Sequence, residues 1–289
     1  MARKFILMTD TGSDLPAEYY VQHDIACVQL GFTLDGVTYG GDDGAEMDTR
    51  KFYELLRGGA MPKTFQVTPA QAMAHIEPYV KEGKDVLVIS FSSGLSGTYE
   101  SYLSAARELA DKYPARVCVV DSLCASLGQG LFVDYIVKKA DSGASLDETV
   151  AYAEELKGHM CHFFTVDDLF HLKRGGRVSG ATAVDGKMLN IKPVLHVDDA
   201  GHLIAIGKAM GRKKSLAALV DKMTELNELN KNDPVFISHG DCETDVEYLI
   251  GLIKNRFGLR TFYVNMIGSV IGTHSGAGTV ALFFKGRHR

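Results

Sequence analysis

The chain has 289 residues, which is long enough for a large hydrophobic core and two domains. Its formal net charge is −5, which argues against a nucleic-acid or membrane-surface binder, because such proteins carry a broad basic face. The five cysteines are odd in number and form no Cys-x-x-Cys pair, a pattern typical of reduced thiols rather than of a disulfide framework or a zinc site. No apolar run suits a signal peptide or a membrane span, so we expect a cytoplasmic protein without stable membrane insertion.

The first half of the sequence alternates strand and helix patterns. The predicted elements are a strand over 5–8, a helix over 15–23, a strand over 25–34, a helix over 48–57, a helix opening at Thr68-Pro69, a strand over 85–91, a helix over 98–112, a strand over 116–120 and a helix over 126–140. Such alternation predicts a parallel sheet with helices on both faces. We therefore expect an α/β domain over residues 1–160.

The second half is less regular. After a helix capped by Ser145, the predicted elements are a strand over 161–166, a short helix over 167–173, a β-hairpin over 192–206, a helix over 213–230, a strand over 234–238, a helix over 243–257, and strands over 260–267 and 279–284. The intervening segment 268–279 is rich in Gly, Ser and Thr and is predicted to be a loop. This order predicts a smaller α+β domain with a mixed sheet over residues 161–289.

The segment 92–98, with the sequence SSGLSGT, follows a buried strand and precedes a helix. Backbone N–H groups at a helix N-terminus attract anions, and glycine lets a ligand approach them, so Ser96 and Gly97 are candidate anion ligands. The alternative is an ordinary helix cap. A serine-hydrolase elbow requires Gly-x-Ser-x-Gly, and Thr98 stands where the second glycine belongs.

Two further polar residues are candidates for the same site. Thr64 lies in a loop that is expected at the same end of the sheet as Ser96, because the loops at the carboxyl ends of parallel strands converge there; the alternative is a loop with a helix cap at Thr68. His274 lies among small residues and is suited to donate to a carboxylate or phosphate, although an isolated histidine is more often an ordinary surface residue.

Basic residues are concentrated in the segment 173–180, which includes Arg177, and at Arg212 in the segment 212–214. They indicate either a solvated face or a contact for a phosphate or an acidic partner. Asp10 and Asp121 follow strands, and turn formation or capping explains them better than general-base catalysis.

Taken together, these motifs resemble the DegV family of bacterial fatty-acid-binding proteins that serve fatty acid kinase. The resemblance extends nearly from end to end and rests on motifs in a shared order, at residues 9–15, 63–66, 92–99, 120–122, 173–177, 192–194 and 274–278. One departure is Phe65, which replaces the serine of the family's Lys-Thr-Ser-Gln motif.

The resemblance implies a non-catalytic, two-domain protein that holds one long-chain fatty acid between its domains, with no cofactor and no metal. By position, the family's carboxylate ligands correspond to Thr64, Ser96 and His274, and its kinase-contacting arginine corresponds to Arg177. The protein would present the fatty acid to the catalytic subunit of a fatty acid kinase and carry the acyl phosphate toward phospholipid synthesis. It would bind no nucleic acid.

Two other functions stay open on the sequence alone. One is a serine esterase or acyltransferase that uses Ser96 and His274. The other is a regulatory module that binds a phosphorylated ligand through Arg177 and Arg212.

Overall fold

The computed structural model describes residues 3–179, 190–230 and 232–289. The strands are β1 (Phe5–Asp10), β2 (Ile25–Val28), β3 (Gly31–Leu34), β4 (Val37–Gly40), β5 (Lys63–Phe65), β6 (Asp85–Ser90), β7 (Val117–Asp121), β8 (Met160–Thr165), β9 (Val178–Ser179), β10 (Ile191–Val197), β11 (Leu203–Met210), β12 (Val235–His239), β13 (Phe262–Met266) and β14 (Val280–Lys285). The helices are α1 (Ala17–Gln22), α2 (Thr49–Arg57), α3 (Pro69–Lys81), α4 (Thr98–Ala110), α5 (Leu127–Asp141), α6 (Leu146–Leu156), α7 (Leu169–Arg174), α8 (Arg212–Leu226), α9 (Glu243–Phe257) and α10 (Ser269–Ser275). Gly180, the last residue of the basic segment 173–180, lies outside the described residues.

The first sheet is parallel, with the strand order β2-β1-β6-β7. Successive residues of β6 enter two different hydrophobic clusters, because side chains along a strand alternate between the faces of a sheet. Leu87 and Ile89 pack into the cluster that contains α5, whereas Val86 and Val88 pack into the cluster that contains α3 and α4. The predicted parallel sheet with helices on both faces is therefore confirmed.

The second sheet is mixed, as predicted, with the order β13-β12-β14-β8-β10-β11-β9. Strand β12 pairs in parallel with β13 and antiparallel with β14. The predicted hairpin is formed by β10 and β11. Although this half was expected to be the smaller one, its sheet has seven strands against four in the first.

A third, antiparallel sheet with the order β4-β3-β5 was not predicted. The prediction of one strand over 25–34 is wrong, because the chain leaves the parallel sheet after β2 and enters this small sheet at β3. The change of direction occurs at Leu30, whose backbone N–H donates to the Thr11 hydroxyl at 2.9 Å. In the sequence, Gln29 and Gly31 interrupt the apolar run at this point, and the prediction of a single strand passed over them.

Three helices of the predicted set begin at a side-chain cap. The Asp48 carboxylate accepts from the Lys51 N–H at 3.0 Å, and Thr68 caps α3. Ser145 and Glu148 form a reciprocal capping box at the start of α6. Two predicted ends differ from the structure: the helix expected over 213–230 ends at Leu226, and the helix expected over 98–112 ends at Ala110.

The prediction of a loop over 268–279 is wrong, because its first part forms α10. The local sequence is poor in helix formers, and packing stabilises the helix instead. A Cβ on Gly272 would stand 2.6 Å from the Tyr53 hydroxyl, so a residue without a side chain lets α10 pack closely on α2. This helix places His274 in its last turn.

One hydrophobic cluster contains residues from both predicted domains, among them Phe132 on α5, Phe164 on β8 and Phe283 on β14. The helix α5 therefore packs against the face of the second sheet. As a result, the loops that follow the strands of the parallel sheet lie opposite one face of the second sheet. The division at residue 160 stays a prediction.

Candidate functional site

A cavity of about 600 Å³ lies between the loops that follow the parallel strands and one face of the second sheet. This volume is within the range of about 300–1,000 Å³ that is usual for small-molecule sites. Loops that follow three strands of the parallel sheet contribute Leu30, Phe91, Ser93, Leu95, Ser96, Gly97, Ala125 and Ser126. The second sheet contributes His162, Phe164, Val197, Leu203, Ala281 and Phe283.

The walls of the cavity are largely apolar. On the second sheet, β8 and β14 pair antiparallel, and their register sets Phe164 opposite Ala281 and His162 opposite Phe283. These alternate residues share one face of the sheet, and this face lines the cavity. Since an alkyl chain is linear and apolar, such a wall suits it better than it suits a polar metabolite.

The junction between β6 and α4 supplies polar atoms to this cavity. The Ser96 hydroxyl oxygen accepts from the Thr98 N–H at 3.2 Å and lies 2.9 Å from the Thr98 hydroxyl. Next to it, a Cβ on Gly97 would stand 2.4 Å from the side-chain oxygen of Gln66, so a larger residue would displace the end of that side chain. Both Ser96 and Gly97 line the cavity at the N-terminus of a helix of 13 residues, where orphan N–H groups favour an anion.

Thr64 and His274 are brought together from positions 210 residues apart, with 2.8 Å between Oγ1 and Nε2. Thr64 lies on β5, and His274 lies on α10 with its Nδ1 at 2.8 Å from the carbonyl oxygen of Gly175. Because a carbonyl oxygen only accepts, Nδ1 carries the hydrogen. Burial lowers the pKa of His274, so the ring is neutral and its Nε2 accepts from the Thr64 hydroxyl.

Basic side chains lie around the hydrogen-bonded pair of Thr64 and His274. Arg177 is exposed and lines both the main cavity and an adjoining pocket of about 220 Å³. The pocket also contains Lys63, Arg174 and His171 next to Thr64 and His274. The result is a polar end with positive charge, continuous with an apolar interior.

The Phe65 side chain forms part of the cavity wall next to Thr64. Its ring atoms would lie 2.2 Å from a Cβ on Gly31, so the ring packs directly on this glycine of β3. The side chain lines the cavity and is 36% exposed. At this position the chain therefore offers an aromatic wall rather than a hydroxyl.

The turn between β10 and β11 closes over the Ser92–Gly94 loop. The Ser92 hydroxyl donates to the carbonyl oxygen of Gly201 at 2.9 Å. A Cβ on Gly94 would stand 2.7 Å from the carbonyl oxygen of Ala200, so the two turns touch through their backbones. Segments from both predicted domains thus cover the cavity.

Arg212 lies apart from the other predicted site residues. It forms an ion pair with Asp245 at 2.8 Å and donates to the carbonyl oxygen of Gly278. It lines a different cavity, which also contains Cys242. The structure therefore brings together Thr64, Ser96, Gly97, His274 and Arg177, but not Arg212.

The two strand-end aspartates have the turn roles expected for them. The carboxylate of Asp10 accepts from the N–H groups of Gly12 and Phe91, each at 3.0 Å. The carboxylate of Asp121 accepts from the N–H groups of Ser93 and Leu123. Burial raises the pKa of Asp10 to about 6.

Ser126 and His162 are two of the polar cavity residues that were not predicted from the sequence. Ser126 lines the cavity with φ of 55°, and its hydroxyl donates to the buried Asp14 carboxylate at 2.5 Å. His162 lines the cavity from within β8. His162 could have been noticed in the sequence, because it is a histidine inside an otherwise apolar strand. Nothing in the local sequence marks Ser126.

Within the described ranges, no group of acidic, cysteine and histidine side chains has the arrangement of a metal site. None of the described helices has both the length and the apolar character needed to span a membrane.

Comparison with known proteins gives consistent results. The family model described as "Uncharacterised protein, DegV family" matches residues 4–287. A DegV domain-containing protein of Clostridium perfringens is 43% identical over 286 residues, which is 98% of each chain. A fatty-acid-binding DegV family protein of Thermus thermophilus has a similar structure, with a TM-score of 0.88 and 32% identity over 99% of this chain and 100% of the other. DegV of Bacillus subtilis, described as a fatty acid binding protein, gives a TM-score of 0.82 at 28% identity, with coverage of 99% and 100%.

Proposed function

The chain belongs to the DegV family, and from this premise we propose that it binds one long-chain fatty acid without transforming it. The carboxylate is held by Thr64, Ser96, the Gly97 amide and His274, and the alkyl chain occupies the cavity. The observation that carries this proposal is the continuity of a polar, hydrogen-bonding end with an apolar interior of about 600 Å³. The fatty-acid binding of the Thermus and Bacillus relatives supports it.

The energetics of the two ends differ. A carboxylate in a largely apolar cleft is stable only when several donors satisfy its oxygens, and two hydroxyls, a helix N-terminus and an imidazole supply them. An alkyl chain of about sixteen carbons contributes on the order of 10 kcal/mol, at roughly 0.8 kcal/mol per buried CH₂. Binding strength therefore comes mainly from the chain, and orientation comes from the carboxylate.

The geometry favours a carrier over the esterase alternative. Ser96 is hydrogen-bonded to Thr98, and His274 is hydrogen-bonded to Thr64, so each candidate of the serine–histidine pair has another partner. A general base must be within hydrogen-bond reach of its nucleophile. The hydroxyl of Ser96 thus acts as a ligand of the carboxylate.

We further propose that the bound carboxylate is presented to the catalytic subunit of a fatty acid kinase in the cytoplasm, and that the acyl phosphate stays bound for phospholipid synthesis. The exposed Arg177, beside Arg174 and Lys63 at the polar end, supports a contact with an acidic partner or a phosphoryl group. The function of Arg212 as a second such contact has no geometric support at this cavity.

Lipid mass spectrometry of the denatured purified protein tests the binding function. We expect one fatty acid per chain, and we expect Thr64→Ala and Ser96→Ala each to weaken its binding by about 1–3 kcal/mol. Ser104→Ala, an exposed serine on the same helix as the Ser96 junction, is the matched control and should leave binding unchanged. Absence of bound lipid, together with no uptake of added fatty acid, refutes the proposal.

The kinase function needs a separate assay. We expect Arg177→Ala to retain its lipid and to lose turnover with a bacterial fatty acid kinase subunit. Arg107 is an exposed arginine on α4, and Arg107→Ala is the control that should keep both its lipid and its kinase turnover. If Arg177→Ala loses its lipid instead, this arginine belongs to the carboxylate site.

A further inference from the structure

Thr98 carries a buried hydroxyl that contacts both segments of the polar end. It is the first residue of α4 and is fully buried. Its Oγ1 accepts from the Val67 N–H at 3.3 Å and lies 2.9 Å from the Ser96 hydroxyl oxygen. Val67 follows Thr64 by three residues, so the Thr98 side chain lies between the segments that carry the two hydroxyl ligands of the carboxylate.

The partners of the Thr98 hydroxyl fix the direction of its hydrogen bond with Ser96. A hydroxyl has one hydrogen to donate and two lone pairs that accept. Among the described residues, the Thr98 hydroxyl contacts the Val67 N–H, which only donates, and the Ser96 hydroxyl. If Ser96 donated to Thr98, the hydrogen of Thr98 would be buried without an acceptor, which is unfavourable. The Thr98 hydroxyl therefore donates to Ser96.

This direction determines what the Ser96 hydroxyl can do for a ligand. Its oxygen also accepts from the Thr98 N–H at 3.2 Å, so both of its lone pairs are used. Only its hydrogen is left. Since Ser96 is partly exposed and lines the cavity, that hydrogen is available to a bound head group. A serine hydroxyl can ordinarily donate or accept, whereas this one can only donate.

We propose that Thr98 sets the head-group specificity of the polar end, because its hydroxyl makes Ser96 a donor only. The inference rests on the proposed fatty-acid function. A carboxylate has only acceptors, so it matches a Ser96 hydroxyl and a Gly97 amide that can only donate. A fatty alcohol brings a hydrogen of its own, and Ser96 has no lone pair left for it. Thr98 is thus a positioning residue that acts through Ser96.

A competition assay tests this inference. Palmitic acid and hexadecanol, which have chains of equal length, each displace a fluorescent fatty acid from the unchanged protein, from Thr98→Val and from Thr98→Ser. Thr98→Val keeps the shape of the side chain but removes the hydroxyl, so a lone pair of Ser96 becomes free to accept from the alcohol. We expect the ratio of acid affinity to alcohol affinity to fall about tenfold in Thr98→Val. In Thr98→Ser, which retains the hydroxyl, the ratio should stay unchanged.

Thr149→Val is the matched control. Thr149 is also fully buried on a helix, but its hydroxyl donates to the carbonyl oxygen of Ser145 at 2.8 Å. Its removal should leave the ratio of the two affinities unchanged. If Thr98→Val does not fold, a neutron crystal structure of the unchanged protein decides the question. We expect the deuterium between the two hydroxyl oxygens to be bonded to Thr98, and a deuterium bonded to Ser96 at that place refutes the inference.

The outcomes separate this inference from the function on which it rests. If palmitic acid binds and Thr98→Val weakens both ligands by the same factor, Thr98 has only a structural role. The inference is then refuted and the carrier function stands. A changed ratio in Thr98→Ser has the same meaning, because the hydroxyl is still present there. If palmitic acid does not bind to the unchanged protein, the carrier function itself is refuted.

Discussion

Binding of a fatty acid should take up a proton at His274. In the ligand-free protein the neutral ring accepts from Thr64, whose only hydroxyl hydrogen is thereby used. If Thr64 turns this hydrogen toward a carboxylate, Nε2 loses its partner unless it becomes a donor itself, and that requires the imidazolium form. Burial lowers the pKa of His274 in the free protein, with further lowering by Arg177 and His171, so the proton comes from solvent on binding.

The size of the effect follows from the charge that the ligand brings. A carboxylate about 4 Å from an imidazolium contributes on the order of 4 kcal/mol at an effective dielectric constant of about 20. That energy corresponds to about three pKa units, so the carboxylate raises the pKa of His274 in the complex above its value in the free protein. Between the free and bound pKa values, the dissociation constant should rise about tenfold for each unit of increasing pH.

Calorimetry in two buffers of different ionisation enthalpy measures this proton directly. Near pH 7 we expect proton uptake with the fatty acid, and none with the corresponding fatty alcohol, which has no charge. In His274→Gln the uptake should vanish, whereas Thr64→Val should weaken binding and keep the uptake. Binding without proton uptake, or uptake that persists in His274→Gln, would falsify this account of the carboxylate site.

Three further predictions concern single sites. Gly97→Ala should weaken fatty-acid binding, measured by titration, because its Cβ would push the end of the Gln66 side chain aside at the polar end of the cavity. Gly251→Ala meets open space on α9 and should raise the free energy of unfolding in urea by up to about 1 kcal/mol. Burial raises the pKa of Asp14 from 3.8 to about 7, so the stability it contributes is complete below pH 4 and is lost as the pH rises through 7. Relative to Asp14→Asn, the unchanged protein should therefore lose on the order of 4 kcal/mol of unfolding free energy across that range, and parallel pH profiles would contradict this. Ser145→Ala should cost about 1 kcal/mol in urea unfolding, since it removes the capping box of α6.

Local patterns predicted most of the fold. The buried run of β6 and the caps at Asp48, Thr68 and Ser145 are short-range signals, because strand burial and cap hydrogen bonds involve neighbouring residues. The errors occurred where distant contacts decide the local structure. Where the predicted strand over 25–34 breaks, the Leu30 N–H donates to the hydroxyl of the distant Thr11, a contact that no periodicity encodes.

The candidate site was predictable in its residue types but not in its geometry. Hydroxyls, glycine and one histidine mark the polar end, and their order along the chain carries the family resemblance. Arg177 joined this site and Arg212 did not, although both belong to basic segments of similar appearance. The difference arises because Asp245 on α9 pairs with Arg212, whereas Arg177 remains exposed at the mouth of the cavity.

The sequence by itself determined the alternation of strands and helices, the family, and the identity of Thr64, Ser96 and His274 as candidate ligands. Only the tertiary structure decided that Thr64 and His274 hydrogen-bond across 210 residues, and that the face of the second sheet closes an apolar cavity behind them. The physical reason is that a helix cap or a hydrogen bond between neighbours depends only on residues that are close in sequence. A cavity, in contrast, is the space between side chains from many distant segments. Only the folded chain therefore shows that a polar residue such as His162 lines it.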